Sequence, residues 1–260
     1  MHSLKKISSL LSGIIPNMVR YHPFVDFLYL KMHPALNAYL KLEEDVFRKA
    51  WKICSDSPPT LVYDIGANEG FTTSYFLKMK AGKIIAIEPD PSAFQILKFR
   101  YARNKRVNLL PLALGDKTGK FPFFQVSPAS GYNTFVKEWY QQHECLHSKI
   151  LEINIVPITT MFKQYGVPDL IKTDVEGMEW EIIKSIQLEI PFISFEANLP
   201  IFADKTKRIL KHLNNLLPNH LLYHSTGHIL SKPITYTEAL GLCDAQDARC
   251  IEFFFIRPRL

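Results

Sequence analysis

The fold is decided by the stretch Val62-Tyr63-Asp64-Ile65-Gly66-Ala67-Asn68-Glu69-Gly70. The apolar residues from Leu61 onward predict a short buried strand, and a glycine-bearing turn then leads into a helix predicted over Glu69–Lys80. Gly66 allows a positive φ and a close approach of the backbone, and Gly70 allows the start of the helix to pack tightly. The stretch therefore predicts the first strand, turn and helix of an α/β sheet whose ligand binds at the turn.

The same rhythm of strand, turn and helix continues along the chain. Further strands are predicted at Ile84–Glu88, Val107–Leu112, Asp169–Asp174, Phe192–Ala197, Leu221–His224 and Ile251–Ile256. Further helices are predicted over Ser92–Arg103, Met178–Leu188 and Lys205–Leu217. Such alternation indicates βαβ units, and therefore a largely parallel sheet with helices on both faces.

Two segments depart from this rhythm. Residues of about 117–158 read as an insertion with two extra strands, Phe121–Val126 and Glu152–Pro157, joined by a long polar and aromatic loop at Ser127–Lys149. Loops of that length in a compact domain are usually functional. Residues 1–59 read as a helical accessory segment that includes one helix at Leu36–Ile53, and residues 60–260 as the main domain.

Composition narrows the class of protein. Of the 260 residues 47% are hydrophobic and 22% are charged, a balance that excludes disordered and fibrous chains. The net charge of +6 favours an acidic partner, but no block of Lys and Arg interleaved with aromatic residues indicates nucleic acid. The sequence gives no indication of the oligomeric state.

The cellular compartment is predicted from the hydrophobic segments, the cysteines and the first residues of the chain. No run of about 18 apolar residues predicts a transmembrane helix. The four cysteines form no C-x-x-C pair and read as reduced thiols, which favours the cytoplasm. Leu4–Ile15 reads as an amphipathic helix that packs on the domain, or alternatively makes weak contact with a membrane surface.

The end of the second strand carries a second acidic residue, Glu88, which can accept hydrogen bonds from both hydroxyls of a ribose. Dinucleotide-binding enzymes also have a glycine turn after the first strand and an acidic residue after the second, but their turn has the sequence G-x-G-x-x-G. Here the turn lacks the third glycine, and Glu69 would repel a pyrophosphate. S-adenosylmethionine fits better, because it has no phosphate and Asp64 can hold its ammonium group. An NAD-dependent oxidoreductase remains the first alternative.

A third feature lies in the strand predicted at Asp169–Asp174. Charges in a central, doubly covered strand are costly unless they are paired, so Lys172 is expected to pair with a carboxylate. Asp174 and Glu176 follow at the carboxyl end of the strand, which is the edge where open α/β sheets bind ligands.

Four motifs together resemble those of the FkbM-type methyltransferases. They are DIGANEG at 64–70, IEP at 87–89, ALGD at 113–116 and IKTDVEGME at 171–179. The resemblance covers about Leu61 to Glu196. It implies the seven-stranded, Rossmann-like sheet of class I methyltransferases, here with the helical N-terminal segment and an inserted β-hairpin. It also implies an S-adenosylmethionine-dependent O-methyltransferase that acts on a hydroxyl of a sugar, a glycan or a similar small molecule.

The resemblance also assigns residues to roles. The cofactor would be bound by Asp64, Gly66, Asn68, Gly70, Glu88, Pro89, Ala113 and Leu114. The catalytic residues would be Asp174 and Glu176. Apart from the resemblance, whose motifs do not cover Ser127–Lys149, we predict that the acceptor is bound by Tyr132, Asn133, His143 and Glu196.

The chemistry of an alcohol acceptor requires a base. Our hypothesis is that Asp174 is the base and that Glu176 positions the acceptor; His143 and His147 are the alternative bases. Mg²⁺ held by Asp174, Glu196 and Asn198 is considered but not favoured, and no metal ligands are assigned. A non-catalytic, cofactor-binding partner protein is the third class of function, and it is disfavoured because the acidic residues are all present.

Overall fold

The computed structural model describes residues 31–259 except 33, 144, 145, 147, 246 and 248. Three sequence expectations lie outside the described residues: the amphipathic helix Leu4–Ile15 with its membrane contact, the candidate base His147 and the thiol of Cys145. Cys54, Cys243 and Cys250 are free thiols, as predicted. No helix in the described part of the chain combines the length and the apolar character needed to cross a membrane.

The main sheet has eight strands, one more than predicted. They are β1 (Leu61–Ile65), β2 (Lys83–Ile87), β3 (Val107–Leu110), β7 (Leu170–Thr173), β8 (Phe192–Leu199), β9 (Leu221–Thr226), β10 (Ile229–Leu230) and β11 (Arg249–Ile256). Their order is β10-β9-β11-β8-β7-β1-β2-β3. The five adjacent strands β3, β2, β1, β7 and β8 are parallel to one another. Strand β11 is antiparallel to both of its neighbours, β8 and β9. Without β10 this is the predicted class I methyltransferase arrangement.

The additional strand β10 has a local cause. Gly227 and His228 both have positive φ and turn the chain back on itself, so that two residues pair with the end of β9. A two-residue strand carries too little periodicity to be recognised in the sequence.

Together with the short strand just before it, the insertion forms a second sheet. It consists of β4 (Ala113–Gly115), β5 (Gly119–Gln125) and β6 (Lys149–Pro157), in the order β4-β6-β5. The predicted hairpin corresponds to the antiparallel pair β5 and β6, and β4 adds a parallel third strand. The segment predicted as one long loop instead contains a helix at Lys137–His143, because Trp139 and Tyr140 bury their rings against Phe202 and Phe124.

Helices cover both faces of the main sheet. In chain order they are α1 (Pro34–Cys54), α2 (Phe71–Lys78), α3 (Pro91–Tyr101), α4 (Lys137–His143), α5 (Ile158–Tyr165), α6 (Glu179–Ile183), α7 (Ala203–Leu216) and α8 (Tyr236–Cys243). Helices α1 to α3 share one apolar core with one face of the sheet, and α5 to α8 share a second core with the other face. The sequence reading missed α5 and α8, although Thr235 and Glu238 form a capping box at the start of α8.

Helix α1 is anchored to the sheet by its C-terminal half. Phe47 makes edge-to-face contacts with Phe254, and Trp51 packs on Phe192. Closer to the carboxyl ends of the strands the same face of the sheet becomes polar, because Asp64 and Lys172 lie opposite each other on β1 and β7. The first half of α1 therefore covers a charged layer instead of an apolar one.

Candidate active site

The turn after β1 needs glycine at its first position. Gly66 has φ +78°, and a Cβ atom there would lie 1.7 Å from the carbonyl oxygen of Asp174. The amides of Gly66 and Ala67 both donate to the carbonyl of Ile87, each at 3.0 Å. The close approach expected at Gly66 is therefore an approach to the loop after β7, and it brings the ends of β1, β2 and β7 together.

Glu88 is held by the backbone on both of its oxygens. Its Oε2 accepts from the amide of Asn68 at 2.7 Å, and its Oε1 accepts from the amide of Asp90 at 2.7 Å. Burial is the main cause that raises the pKa of Glu88 to about 8, against the lowering effect of the two amides. Each oxygen can accept a second hydrogen bond, so the carboxylate can hold a pair of hydroxyls at a fixed position.

Asp64 is fully buried and lies beneath the cleft instead of in its wall. The hydroxyl of Thr73 donates to its Oδ2 at 2.5 Å, while Oδ1 has no hydrogen-bond partner among the described residues. Desolvation raises the pKa of Asp64, against the lowering effects of Lys172 and Thr73. Any contact between Asp64 and a ligand in the cleft is therefore indirect in this conformation.

Gly70 also serves packing and does not line the cleft. It is the N-cap of α2 with φ +90°, and a Cβ atom there would lie 2.5 Å from the ring of Tyr101 and 2.7 Å from Leu97. The hydroxyl of Tyr101 donates to the carbonyl of Gly70 at 2.7 Å. The glycine thus lets α3 pack directly on the start of α2.

An open cleft of about 640 Å³ lies at the carboxyl ends of β1, β2 and β7. The residues predicted for the site that line it are Gly66, Asn68, Glu88, Pro89, Ala113, Leu114, Asn133, Asp174 and Glu176. The sequence reading did not single out the apolar part of the wall, Ile65, Ile87, Phe123, Phe135, Val175 and Met178. The cleft therefore has an acidic side and an apolar side.

Lys172 is buried and pairs with a carboxylate, as expected. Its Nζ lies 3.0 Å from Oδ2 of Asp174, and only 3% of the residue is exposed. Lys172 also faces Asp64 and Glu252, and these carboxylates raise its pKa against the effect of burial. One cation thus serves several acidic side chains.

The loop after β7 is held rigidly. Oε1 of Glu179 accepts from the amide of Val175 at 2.9 Å, and its Oε2 accepts from the amide of Gly177 at 3.0 Å. The hydroxyl of Thr134 in the insertion donates to the carbonyl of Glu176 at 2.7 Å. Glu176 itself has φ +51°, so the loop holds it in a left-handed conformation that residues other than glycine rarely adopt.

Three carboxylates meet at the end of this loop. Oxygen atoms of Asp174, Glu176 and Glu196 all lie within 4.8 Å of one another, and we call these residues the acid trio. Burial and the neighbouring carboxylates raise the pKa of Glu176 to about 10 and that of Glu196 to about 8. Such oxygens suit a hard cation such as Mg²⁺. Asn198 instead donates through its amide, at 3.1 Å to Glu176 and 3.4 Å to Glu196.

The inserted segment is tied to the end of β2 by Asp90, which the sequence reading missed. Its carboxylate accepts from the side chains of Gln125 at 2.5 Å and Asn133 at 2.9 Å, and from the amide of Ala129 at 2.8 Å. It also caps α3 through the amide of Ser92 at 2.9 Å. An Asp followed by Pro is a common start for a helix, and that signal was available.

Asn133 lines the cleft, but its side chain is occupied within the insertion. Besides its bond to Asp90, the side-chain oxygen of Asn133 accepts from the amide of Val126 at 2.8 Å. These bonds assign it a structural role in this conformation.

The other predicted acceptor residues do not line the cleft. Tyr132 is half exposed, and its ring stacks on His143 with centroids 4.5 Å apart. His143 lies against Trp139, which packs on Phe202, and Phe202 contacts Gly177 beside the acid trio. We call Tyr132, Trp139, His143 and Phe202 the aromatic cluster. Glu196 lines a separate cavity beneath α1.

The chain is similar in sequence to a methyltransferase. Methyltransferase sdnD of Sordaria araneosa is 26% identical over 157 residues, which make up 49% of this chain and 61% of that protein. The chain thus spans somewhat less than two thirds of the length of this relative.

Solved structures are more distant. The plantazolicin methyltransferase BpumL, in complex with a triazolic desmethylPZN analog and SAH, is 10% identical with a TM-score of 0.45 and covers 93% of this chain and 95% of its own. The precorrin-6y C5,15-methyltransferase of Geobacter metallireducens is 13% identical with a TM-score of 0.39 and covers 80% and 87%. Similarity at this level says nothing about the substrate.

The model of the methyltransferase FkbM domain matches residues 64–224. The match begins at the buried aspartate of β1 and ends in β9, so it includes the cleft, the insertion and the acid trio. This chain belongs to the FkbM methyltransferase family.

Proposed function

We propose that this protein transfers a methyl group from S-adenosylmethionine to a hydroxyl of a sugar, a glycan or a similar small molecule. The observation that carries the proposal is the arrangement of the cleft. Glu88, fixed by two backbone amides, lines it together with Asp174 and Glu176 of the acid trio.

The cleft suits this cofactor in its charge and its polarity. No Lys or Arg is found among the described residues that line it, so none of these side chains could neutralise a pyrophosphate, which disfavours a cofactor with that group. Glu88 would hold the ribose, and the apolar wall with Ala113 and Leu114 would hold the adenine. When bound, the cofactor supplies an electrophilic methyl group.

The acid trio supports roles for two carboxyl groups. Asp174 carries the salt bridge with Lys172, and it is the carboxylate that we propose takes the proton of the acceptor hydroxyl. The pKa of Glu176, raised to about 10, keeps that side chain protonated at neutral pH. A protonated Glu176 can donate a hydrogen bond to the acceptor oxygen and so orient it.

The aromatic cluster supports an acceptor with a ring. The exposed face of Tyr132 offers apolar area that can cover one face of a sugar. Nδ1 of His143 lies 2.8 Å from the carbonyl of Trp139, which fixes the ring in a stack and favours a positioning role over that of a base.

The proposal is tested by binding first and by turnover second. Calorimetry with S-adenosylhomocysteine and with NADH should show binding of the first alone, and Glu88→Ala should weaken it by about 10-fold or more, since it removes two hydrogen bonds worth roughly 0.5–1.5 kcal/mol each. Tight binding of NADH would decide against a methyltransferase cofactor. Glu152→Gln, on the exposed face of β6, is the matched control.

Asp174→Asn tests the assignment of the base. The variant should keep its affinity for S-adenosylhomocysteine within a few-fold and lose about 10²–10⁴-fold in the rate of methyl transfer to a sugar hydroxyl, the usual contribution of a positioned base. Full turnover by this variant would remove Asp174 from the mechanism.

A further inference from the structure

A second cavity, of about 590 Å³, lies beneath the N-terminal half of α1. Tyr39 and Glu43 line it from α1, Glu196 from β8 and Glu252 from β11, and His228 contributes from the turn before β10. We call these five residues the acidic pocket. Glu196 and Glu252 are opposite each other in the register of β8 and β11, so the two carboxyl groups share one face of the sheet.

The acidic pocket has three carboxyl groups, and no Lys or Arg is among the described residues that line it. Lys172 acts on Glu43, Glu196 and Glu252, but its Nζ is bound to Asp174 at 3.0 Å. Oε1 of Glu252 is buried and has no hydrogen-bond partner in the described part of the chain.

Burial has a consequence for the three carboxyl groups. It raises the pKa of Glu43, that of Glu196 to about 8, and that of Glu252 well above its usual value. Buried carboxylates are costly unless a cation compensates them. A cation bound among the three carboxyl groups would favour their ionised forms and compensate their charge, so the acidic pocket favours a positively charged ligand.

The position of the pocket connects it to the proposed reaction. Glu196 belongs both to the acidic pocket and to the acid trio, where its oxygens lie within 4.8 Å of those of Asp174 and Glu176. Glu196 is thus the residue through which a ligand in the acidic pocket would adjoin the acid trio.

The size of the pocket favours an organic cation. The space of about 590 Å³, which is open to solvent, exceeds that of a bare ion. Glu43 and Glu252 also stand apart from the close group of oxygens that could chelate a metal, which among the described residues comprises the acid trio. Tyr39 contacts His228 edge to face at 4.2 Å, and its exposed ring offers a face to an ammonium group.

Two of the three glutamates of the acidic pocket lie outside the residues that match the FkbM methyltransferase domain. Glu43 precedes and Glu252 follows residues 64–224, so the shared methyltransferase domain supplies Glu196 but neither of its partners. The pocket thus combines one residue of the family domain with two that are particular to the flanking segments.

We propose that the acidic pocket binds the protonated amino group of the methyl acceptor, so that the substrate is an amine-bearing polyol such as an amino sugar. This inference rests on the proposed function, because it names the class of acceptor for the same site. The amino group lies between Glu43, Glu196 and Glu252, and a hydroxyl of the same molecule reaches Asp174.

The test is a comparison of two probes that differ in charge. Glucosamine and glucose are titrated into protein saturated with S-adenosylhomocysteine, and glucosamine is expected to bind at least about 10-fold more tightly. Glu43→Gln and Glu252→Gln, which conserve side-chain shape, are each expected to reduce glucosamine affinity about 5- to 10-fold and to leave glucose binding unchanged. Glu152→Gln is expected to bind both probes like the wild type.

The outcomes separate this inference from the function on which it rests. Equal affinity for the two sugars, or wild-type glucosamine affinity in both variants, would overturn the inference even if S-adenosylhomocysteine binds and glucose is methylated. Loss of glucosamine binding on saturation with S-adenosylhomocysteine would also overturn it, because the amine would then occupy the cofactor cleft. If S-adenosylhomocysteine fails to bind, the proposed function fails, whereas the charge preference is still measured without it.

A variant that unfolds is recognised by its thermal midpoint. Glu43 lies on α1 and is less deeply buried than Glu252, so Glu43→Gln is the variant expected to keep the wild-type melting temperature. Its loss of amine affinity with normal S-adenosylhomocysteine binding supports the inference. Wild-type amine affinity in a folded Glu43→Gln protein counts against it.

Discussion

The two halves of the site are built by different means. In the cofactor half, glycine and backbone amides within one stretch of chain shape the turn around Gly66 and hold Glu88. In the acceptor half, side chains from α1, the insertion, the loop after β7 and the strands β8 and β11 meet across long distances in sequence.

The two halves differ in the amino-acid substitutions that they tolerate. A turn that depends on one φ angle and one close approach cannot change without loss of the fold around it. A wall that depends on side chains can exchange them one at a time, because each contributes a contact and not the path of the backbone. We therefore expect substitutions in the cofactor half to act on stability and binding together, and those in the acceptor half to act on the acceptor.

The largest expected effect is that of Gly66→Ala. The new Cβ would meet the carbonyl of Asp174 at 1.7 Å in a left-handed conformation, so the turn has to move. Strain of φ and overpacking together should cost about 3 kcal/mol or more of the free energy of unfolding and abolish S-adenosylhomocysteine binding. Urea unfolding and calorimetry measure both.

Gly241→Ala is the matched control for that comparison. Gly241 lies in α8, and a Cβ there meets nothing within 4 Å. Alanine in a helix should leave stability equal or raise it by up to about 1 kcal/mol. If Gly66→Ala behaved like Gly241→Ala, the cofactor half would not depend on its backbone in the way described.

An intermediate effect is expected for Asp90→Ala, which cuts the tie between the two halves. The change leaves the amides of Gln125 and Asn133 without their acceptor, at about 1–3 kcal/mol for each buried group that stays unpaired. Hydrogen exchange of residues 125–136 should rise strongly, and transfer to the acceptor should fall more than the affinity for S-adenosylhomocysteine. The exposed Asp45→Ala is the control, and equal exchange in both variants would contradict the tie.

The smallest expected effect is a dependence of stability on pH. The pKa of Glu88 and that of Glu196 are raised to about 8 from 4.5, so the folded protein binds more protons than the unfolded chain between these values. The free energy of unfolding should therefore fall as pH rises from about 5.5 to 8, and the thermal midpoint should fall with it. Glu88→Gln in the cofactor half and Glu196→Gln in the acceptor half should each reduce the slope of the free energy of unfolding against pH. An unchanged slope in both variants would contradict the raised pKa values of these two residues.

Much of the cofactor half could be predicted because its causes are local. The strand, the glycine turn and Glu88 follow from neighbouring residues, and six of the eight predicted cofactor residues line the cleft. The placement of Asp64 beneath it could not be predicted, since it depends on Thr73 and Lys172 reaching the same point from different elements.

The acceptor half was harder to predict because its contacts are tertiary. Tyr132 and His143 were singled out as single residues, but their stacking depends on the helix α4, which the polar sequence around it concealed. Glu43 and Glu252 are an ordinary helix residue and an ordinary strand residue until the fold brings them to one cavity. The short strands β4 and β10 could not be distinguished from loops in the sequence, because they are recognised only by their pairing with β6 and β9.

The tie at Asp90 has a consequence for exchanging parts between enzymes. Gln125, Ala129 and Asn133 all donate hydrogen bonds to the carboxylate of Asp90 on the cofactor half. The segment from the end of β5 to the start of α4 is therefore attached to the cofactor half at one residue. A graft of this segment that retains the glutamine and the asparagine at these two positions keeps its attachment, whatever side chains it carries between them. New side chains at this segment change the part of the cleft wall that Ser130 and Gly131 form, while the turn around Gly66 stays as it is.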